Sequence, residues 1–202
     1  MKLILTRHGE TEENIQGILQ GHAHGTLSAA GIQQAKALAE KLKTEHIEYI
    51  YSSDLGRSSN TTKEIIKHFP KVPAVYTQEL RERDLGELQG KKKSELGLEK
   101  GQSHTFLDPK QGETLQQLYD RAKKFLKKIV EGHKEENILC VGHNGINKAI
   151  VASLQNLGPE GIRTLKNFGN ASITIIDISD DFQHRVHIFD DTGHLRNARR
   201  ED

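Results

Sequence analysis

Two arginines and two histidines follow short apolar runs in this 202-residue chain, and their chemistry suits a phosphate group. Arg7 and His8 come directly after an apolar run near the start of the chain. Arg57 closes the stretch SSDLGR, and His143 follows the apolar stretch NILCVG. Guanidinium groups match phosphate oxygens in a bidentate way, and a histidine can attack phosphorus and hold the phosphoryl group on nitrogen. Because these four groups repel one another when no anion lies between them, they predict a site for a phosphate monoester.

Cleavage of such an ester also needs a proton donor for the leaving oxygen. The stretch LRERDLGELQG, residues 80–90, contains the acidic residues Glu82, Asp84 and Glu87 in a glycine-rich loop. Side-chain chemistry alone does not choose among these three carboxyl groups.

Alternating strands and helices must bring these residues together. Apolar runs predict strands at residues 2–6, 49–53, 72–76 and 137–141, and two final strands, a candidate pair, within 171–179 and 184–190. Helices are predicted at 28–43, from the second strand to about residue 68, at 113–132 and from near residue 145. This order is typical of an α/β fold with a mostly parallel sheet and helices on both faces. In such sheets a ligand binds at the carboxyl ends of the strands, where the four residues stand.

Two of the helices have one apolar face each. In the helix that begins after the predicted N-cap Ser28 the spacing predicts burial of Ile32, Ala35, Leu38, Ala39 and Leu42. In the helix 113–132 it predicts burial of Leu115, Leu118, Ala122, Phe125, Leu126 and Ile129.

Length and composition indicate one globular domain at residues 1–195, with a charged tail at 196–202 that we expect to be disordered. Within it, residues 86–112 are expected to form a loop-rich excursion with one short helix, near the active site.

The formal net charge of +1 gives no bulk argument for nucleic acid or membrane as a partner, so an anion site must be local. No run approaches the ~18 apolar residues of a membrane span, and the single Cys140 fits a buried strand residue of a cytoplasmic protein. The oligomeric state is open.

The remaining polar clusters have simpler interpretations. His22 and His24 are not surrounded by the further ligands of a metal site, so we expect solvent exposure or a contact at the pocket rim. Asp84 and Glu87 are interpreted as surface charges. The lysine run 91–93 is interpreted as a solvated face, with attraction of anionic substrates to the pocket mouth as the functional alternative.

Seven short motifs resemble those of the histidine phosphatase superfamily, which includes the cofactor-dependent phosphoglycerate mutases. They recur in order from about Leu3 to Leu195, and their sequences are TRHGET followed by Asn14, QG with LSAAGIQQA, YSSDLGRS, LRERDLGELQG, GETL, VGHNG and DDTGHL. The ordered set is specific, whereas RHG alone is a weak signal.

The resemblance implies a three-layer α/β/α sandwich and a distinct role for each residue of the site. His8 would be the nucleophile that becomes phosphohistidine, and Glu82 occupies the position of the proton donor. Arg7, Arg57 and His143 would bind the phosphoryl group with help from Asn14, and Asn144 would also contact the substrate. The family uses no metal, and no cofactor is expected.

The chain departs from the family pattern at three places that would lie at the pocket rim. Gly17-Ile18 stand where an arginine is common, and His24 and Thr26 stand where an aspartate and a proline are usual. Asn144 replaces a common glycine after the second histidine. These changes bear on the substrate more than on the chemistry.

The sequence therefore predicts a metal-independent phosphomonoesterase that acts through phosphohistidine on a small phosphorylated metabolite of the sugar phosphate or phosphoglycerate type. The short segment between Glu82 and GET favours hydrolysis, because the mutases carry a longer insertion that closes over the site. A cofactor-dependent phosphoglycerate mutase is the alternative and shares every catalytic residue. A non-catalytic phosphate-binding module is the remote alternative, and the retention of both His8 and Glu82 argues against it.

Overall fold

A six-stranded sheet forms the centre of the protein in a computed structural model that describes residues 1–98 and 103–196. The strands are β1 (Lys2–Arg7), β2 (Tyr49–Ser53), β3 (Ala74–Thr77), β4 (Asn137–Gly142), β5 (Ile173–Ile178) and β6 (His184–Asp191). The helices are α1 (Glu12–Ile15), α2 (Ala29–Leu42), α3 (Gly56–Ile66), α4 (Leu115–Gly132), α5 (Asn144–Leu154) and α6 (Gly161–Thr164).

The strand order is β3-β2-β4-β1-β5-β6, and the part of the sheet that carries the polar strand ends is parallel. Strand β4 pairs in parallel with β1 and β2, and β2 pairs in parallel with β3. Strand β5 runs antiparallel to β1, and β6 runs antiparallel to β5. The predicted mostly parallel sheet and the pairing of the two final strands are confirmed. Since Arg7 lies opposite Gly142 in the β1–β4 register, His8 and His143 follow neighbouring strand ends.

Two apolar clusters, one on each face of the sheet, hold helices against both faces and so produce three layers. Alternate residues of β1 divide between them, with Leu3 and Leu5 in one cluster and Ile4 in the other. Helices α4 and α5 cover the first face, and α2 and α3 cover the second. This arrangement confirms the α/β/α sandwich.

The apolar face of α4 is buried as predicted at all six positions. Its N-terminus has a capping box, in which Thr114 and Gln117 each accept a hydrogen bond from the other's backbone N–H. Cys140 is fully buried in β4, and burial raises the pKa of its thiol.

The predicted face of α2 is wrong at its first turn. Ile32 is 40% exposed, whereas Gly31 is buried beside it. At that point the helix packs directly on backbone, since a Cβ on Gly31 would lie 1.9 Å from the carbonyl oxygen of Glu10. Ser28 is the N-cap as predicted, and its Oγ accepts from the Gly31 N–H.

The predicted excursion 86–112 differs from expectation in its local structure. Instead of one short helix it contains the short 3₁₀ turns Gly86–Leu88, Lys93–Leu96 and His104–Phe106 among its described residues. Strand β3 starts at Ala74, two residues later than predicted, because Pro73 precedes it and cannot donate to the ladder. Residues 197–202 of the predicted tail lie outside the described residues. No helix among 1–98 and 103–196 is long and apolar enough to cross a membrane.

Candidate active site

His8 lies immediately after β1 with its ring orientation fixed by the backbone. Its Nδ1 is 2.7 Å from the carbonyl oxygen of Gly9, which can only accept, so Nδ1 carries the proton. The lone pair is therefore on Nε2, which accepts a hydrogen bond of 3.2 Å from Arg57 Nε. The ring is 2% exposed, and burial, Arg57 and Arg7 lower its pKa well below the usual value for histidine. His8 is thus a neutral imidazole with an available Nε2 at neutral pH.

Arg57 stands in the first turn of α3, where a loop from residues 21–24 holds its guanidinium. Its terminal nitrogens donate to the carbonyl oxygens of Gly21, Ala23 and His24. Burial lowers its pKa to about 10, so the group stays charged at neutral pH. The backbone contacts fix the direction of Nε, which points at His8.

Arg7 is the last residue of β1 and offers a free donor. Its Nη1 donates to the carbonyl oxygen of Phe168 at 2.8 Å. Its Nε is buried and has no hydrogen-bond partner among the described residues. An unpartnered buried donor on a cation is costly unless a ligand satisfies it, which makes this atom suited to an anion.

His143 lies behind His8, with the two ring centroids 5.0 Å apart. Its Nε2 is 2.9 Å from Ser53 Oγ and 3.1 Å from Ser58 Oγ, and its Nδ1 has no partner among the described residues. Burial, followed by Arg57 and His8, lowers its pKa well below the usual value. The structure therefore brings His143 next to His8 but fully buried, outside the lining of the cavity described below.

Glu82 reaches the same place from the loop after β3. Its Oε1 accepts from the N–H groups of Arg83 and Gly145 at 2.9 Å each, and its Oε2 accepts from Gly145 at 3.1 Å. Burial raises the pKa of this carboxyl, but His104 and the two N–H groups lower it, and the net direction is downward. Gly145 is required for this approach, because a Cβ there would lie 2.2 Å from Oε1.

The loop that carries Glu82 is clamped by Arg121 of α4. Its Nη1 donates to the carbonyl oxygens of Glu79 and Arg81 at 2.8 Å each. Two further bonds tie the guanidinium to the carboxylate of Glu113, at 2.8 and 2.7 Å. Glu113 belongs to the motif GETL, so this motif positions the acid from a distance of about thirty residues in sequence. No sequence motif indicates this role of Arg121.

The other two acidic candidates point away from the site. Asp84 accepts from the Gly86 N–H at 2.9 Å, and Glu87 accepts from the Lys110 N–H at 2.7 Å. The first bond stabilises a local turn, and the second joins two segments that are 23 residues apart in sequence. Of the three carboxyl groups in this loop only that of Glu82 lines the cavity.

A cavity of about 350 Å³ lies at this edge of the sheet. Six of the seven predicted site residues line it, namely Arg7, His8, Asn14, Arg57, Glu82 and Asn144. Asn14 is oriented by the N-terminus of α1, since its Oδ1 accepts from the Thr11 N–H at 3.2 Å and from Asn170 Nδ2 at 3.3 Å.

Several residues of the cavity wall were missed or misjudged from the sequence. Lys93 lines the cavity, so the interpretation of the whole lysine run as a solvated face is wrong at that residue. Ser103, His104 and Asn167 also line it, and no motif of the sequence analysis contains them. Composition gives no signal for these positions, because they come from irregular segments.

His22 and His24 take part in the loops around the site. His22 Nε2 is 2.9 Å from the carbonyl oxygen of Glu82, and His24 Nδ1 accepts from the Gly56 N–H at 3.1 Å. Among residues 1–98 and 103–196 no group of three or more His, Cys, Asp or Glu side chains is arranged to hold a metal ion.

Comparison with known proteins gives consistent matches over nearly the whole chain. A family model of the histidine phosphatase superfamily (branch 1) matches residues 3–191. Phosphoglycerate mutase-like protein 4 of Arabidopsis thaliana is 33% identical over 96% of this chain and 86% of its own length. A metal-independent phosphoserine phosphatase of the same plant is 33% identical over 96% of this chain and 83% of its own length.

The fold matches as well. The solved structure of Bacillus stearothermophilus YhfR has a TM-score of 0.85 and 27% identity, covering 96% of this chain and 98% of that chain. Motifs, topology and relatives agree, and the chain belongs to the histidine phosphatase superfamily.

Proposed function

We propose that the protein hydrolyses phosphate monoesters without a metal, through a phosphohistidine at His8. The observation that carries this proposal is the tautomer of His8, since the Gly9 carbonyl holds the proton on Nδ1 and leaves the nucleophilic lone pair on Nε2, where it faces Arg57 Nε. The similarity to a metal-independent phosphoserine phosphatase supports the same type of reaction.

In the first step the Nε2 lone pair of His8 attacks phosphorus, and the bond between phosphorus and the ester oxygen breaks. Arg7 Nε, which has no partner among the described residues, and Arg57 Nε would bind the phosphoryl oxygens and stabilise their charge. Glu82 donates its proton to the leaving oxygen. The arriving dianion raises the pKa of Glu82, because a like charge nearby favours the neutral acid.

In the second step water attacks phosphorus and the bond to His8 Nε2 breaks. The Glu82 carboxylate, now ionised, accepts a proton from that water, and phosphate leaves. His143 remains neutral and packs behind the His8 ring, with the two ring centroids 5.0 Å apart. Glu82 thus acts first as the acid and then as the base, and no proton is gained or lost by the enzyme over the cycle.

The proposed substrate is a small phosphorylated metabolite. A cavity of about 350 Å³ has room for a phosphoryl group and a short carbon chain. We propose that residues 1–195 form one domain for this reaction and that it takes place in the cytoplasm, where a single buried Cys140 is compatible with reducing conditions.

Phosphate release in EDTA from a panel of monoesters tests the proposal, with His8→Ala as the critical variant. We expect release by the native enzyme and none by His8→Ala, whose circular dichroism spectrum should be native. His46→Ala, a change at an exposed histidine far from the cavity, is the matched control and should keep full activity. Release by His8→Ala at the native rate would contradict the mechanism. Interconversion of phosphoglycerates after priming with 2,3-bisphosphoglycerate, with no phosphate release, would identify a mutase instead.

A further inference from the structure

His104 lines the cavity beside Glu82, and the mechanism proposed above does not use it. The residue is 8% exposed, and its Nε2 is buried without a hydrogen-bond partner among residues 1–98 and 103–196. A buried polar atom without a partner in the protein costs free energy unless a ligand satisfies it. Nε2 of His104 is therefore a candidate contact for the substrate.

The distance of His104 from the proposed acid indicates what could bind there. Nε2 lies 3.8 Å from Glu82 Oε2, which is too far for a direct hydrogen bond. Two hydrogen bonds of about 2.8 Å each can meet at one oxygen atom across such a gap. Gly145 borders the gap, and a Cβ there would lie 2.2 Å from Glu82 Oε1 and 3.4 Å from His104 Nε2. A single ligand oxygen can thus contact both side chains at once.

The charge state of His104 makes it a hydrogen-bond donor toward this gap. Burial lowers its pKa to about 4, and Lys93, Arg83 and Arg7 act in the same direction while the charge of Glu82 opposes them. The ring is therefore neutral at neutral pH and carries one proton. Because the Glu82 carboxylate can only accept hydrogen bonds, it favours the tautomer with that proton on Nε2.

Arg83 holds the two groups in this arrangement. Its backbone N–H donates to Glu82 Oε1 at 2.9 Å, and its Nη1 donates to the carbonyl oxygen of Leu107 at 2.7 Å. The N–H of Leu107 closes the 3₁₀ turn that carries His104, since it donates to the His104 carbonyl oxygen at 3.0 Å. The Arg83 side chain is 1% exposed. One buried residue thus fixes the acid and the turn of His104 relative to each other, which prepares them for a shared ligand atom.

We infer that His104 is a catalytic residue whose Nε2–H binds the oxygen that leaves in the first step and the water oxygen that attacks in the second. In the first step Glu82 supplies the proton, and His104 donates a hydrogen bond to the same oxygen and stabilises the charge that develops as its bond to phosphorus breaks. In the second step the water gives a proton to Glu82 and accepts the hydrogen bond from His104, which leaves its other lone pair to attack phosphorus. His104 keeps its proton throughout. The inference rests on the proposed function, because that function places the leaving oxygen beside Glu82.

His104→Phe tests the inference, because it keeps an aromatic ring and removes both nitrogens. Glycerol 3-phosphate has a poor leaving group, and we expect its kcat/KM to fall about 100-fold, the effect of removing one donor to a developing oxyanion. p-Nitrophenyl phosphate has a stable leaving group, so its kcat/KM should fall less than about fivefold. Equal losses for the two esters, or no loss, in a variant with a native circular dichroism spectrum would overturn the inference.

Two further variants control this measurement. His104→Gln places an amide NH₂ group near the position of Nε2, and kcat/KM for glycerol 3-phosphate should return to within about tenfold of the native value. His46→Phe makes the same change as His104→Phe at an exposed histidine and should leave both esters unaffected. Equal rates for the Gln and Phe variants of His104 would overturn the assignment of a hydrogen bond.

The Glu82→Gln background separates direct contact with the oxygen from an effect that passes through the acid. With direct contact, His104→Phe should lower the remaining kcat/KM for glycerol 3-phosphate by a further factor of about ten. No further loss would show that His104 only positions Glu82, and would overturn the inference. Failure of the native enzyme to release phosphate, or full activity of His8→Ala, would instead contradict the proposed function.

Discussion

The two halves of the cavity are built in different ways. The residues around His8, here called the phosphoryl half (Arg7, His8, Asn14 and Arg57), come from the ends of β1 and β2 and the elements that follow them. The opposite wall (Lys93, Ser103, Asn144 and Asn167) comes from the excursion after Glu82, the first turn of α5 and the loop before β5. Parallel strands fix the first half through their register, whereas the second depends on hydrogen bonds between irregular segments.

This difference suggests that one wall of the cavity carries out the reaction and that the other selects the substrate. The phosphoryl half would meet the same PO₃ group in every ester, and rigid strand ends hold it. The opposite wall would meet the part of the substrate that varies, and loops can change there without disturbing the sheet. Changes in the phosphoryl half should therefore affect all esters alike, and changes in the opposite wall should alter only the ratio between esters.

Arg57→Gln is expected to have the largest effect. It removes the donor that faces His8 Nε2, so kcat/KM should fall about 1,000-fold for 3-phosphoglycerate and glycerol 3-phosphate alike. Arg57 also lowers the pKa of His8, and without it that pKa rises. More of the nucleophile is then protonated at low pH, so the acid limb of the remaining activity should move to higher pH.

Steady-state rates across pH and NMR titration of the His8 ring measure these effects. Arg185→Gln, on the exposed face of β6, is the control and should change neither quantity. A loss confined to one of the two esters would break the proposed division between the halves.

Gly145→Ala should have the next largest effect, because it displaces the carboxylate of Glu82, the proposed proton donor. The new methyl group would lie 2.2 Å from Glu82 Oε1 and must push the carboxylate away. We expect kcat to fall about 100-fold for esters with poor leaving groups. An ester such as p-nitrophenyl phosphate needs little protonation of its leaving group, so it should lose much less.

Gly132→Ala is the matched control for this change. Gly132 is the last residue of α4, and no atom outside its own helix lies within 4 Å of a Cβ built there. It should keep full activity and gain up to about 1 kcal/mol in unfolding free energy, measured by urea denaturation. Equal losses for both classes of ester in Gly145→Ala would show that Glu82 is not the proton donor.

Most of the phosphoryl half could be predicted from the sequence because Arg7, His8 and Arg57 follow strand ends, whereas Asn14, in α1, was expected only from the family resemblance. An apolar run followed by Arg7 and His8 specifies both the strand and the edge of the sheet where these side chains lie. The error at Ile32 has a local cause, since contact between Gly31 and the Glu10 backbone makes Gly31 the buried residue of the first turn of α2, while the rest of the predicted face is buried. Periodicity carries no information about such a contact.

On the opposite wall of the cavity, Asn144 was expected to contact the substrate from the family resemblance, whereas Ser103 and Asn167 were not predicted. Ser103, Asn144 and Asn167 are distant in sequence, and their common orientation depends on one backbone N–H and on the buried ammonium group of Lys148. Neither the composition of a loop nor its length indicates which atom of an asparagine will face a cavity. Only the hydrogen-bond network of the folded chain fixes the orientation of the Asn144 amide, through the Phe168 N–H.

Ser103→Ala should give the smallest effect and the sharpest distinction between the halves. It removes one neutral hydroxyl group of the cavity wall, worth about 1 kcal/mol, so the affinity for 3-phosphoglycerate should fall about fivefold. The affinity for glycerol 3-phosphate should change less, because a neutral hydroxymethyl group forms weaker hydrogen bonds than a carboxylate. Calorimetry in the His8→Ala background measures both values, and thermal unfolding checks that the segment around Thr105 is still folded. An equal decrease for both ligands would mean that Ser103 only supports the loop and does not select the substrate.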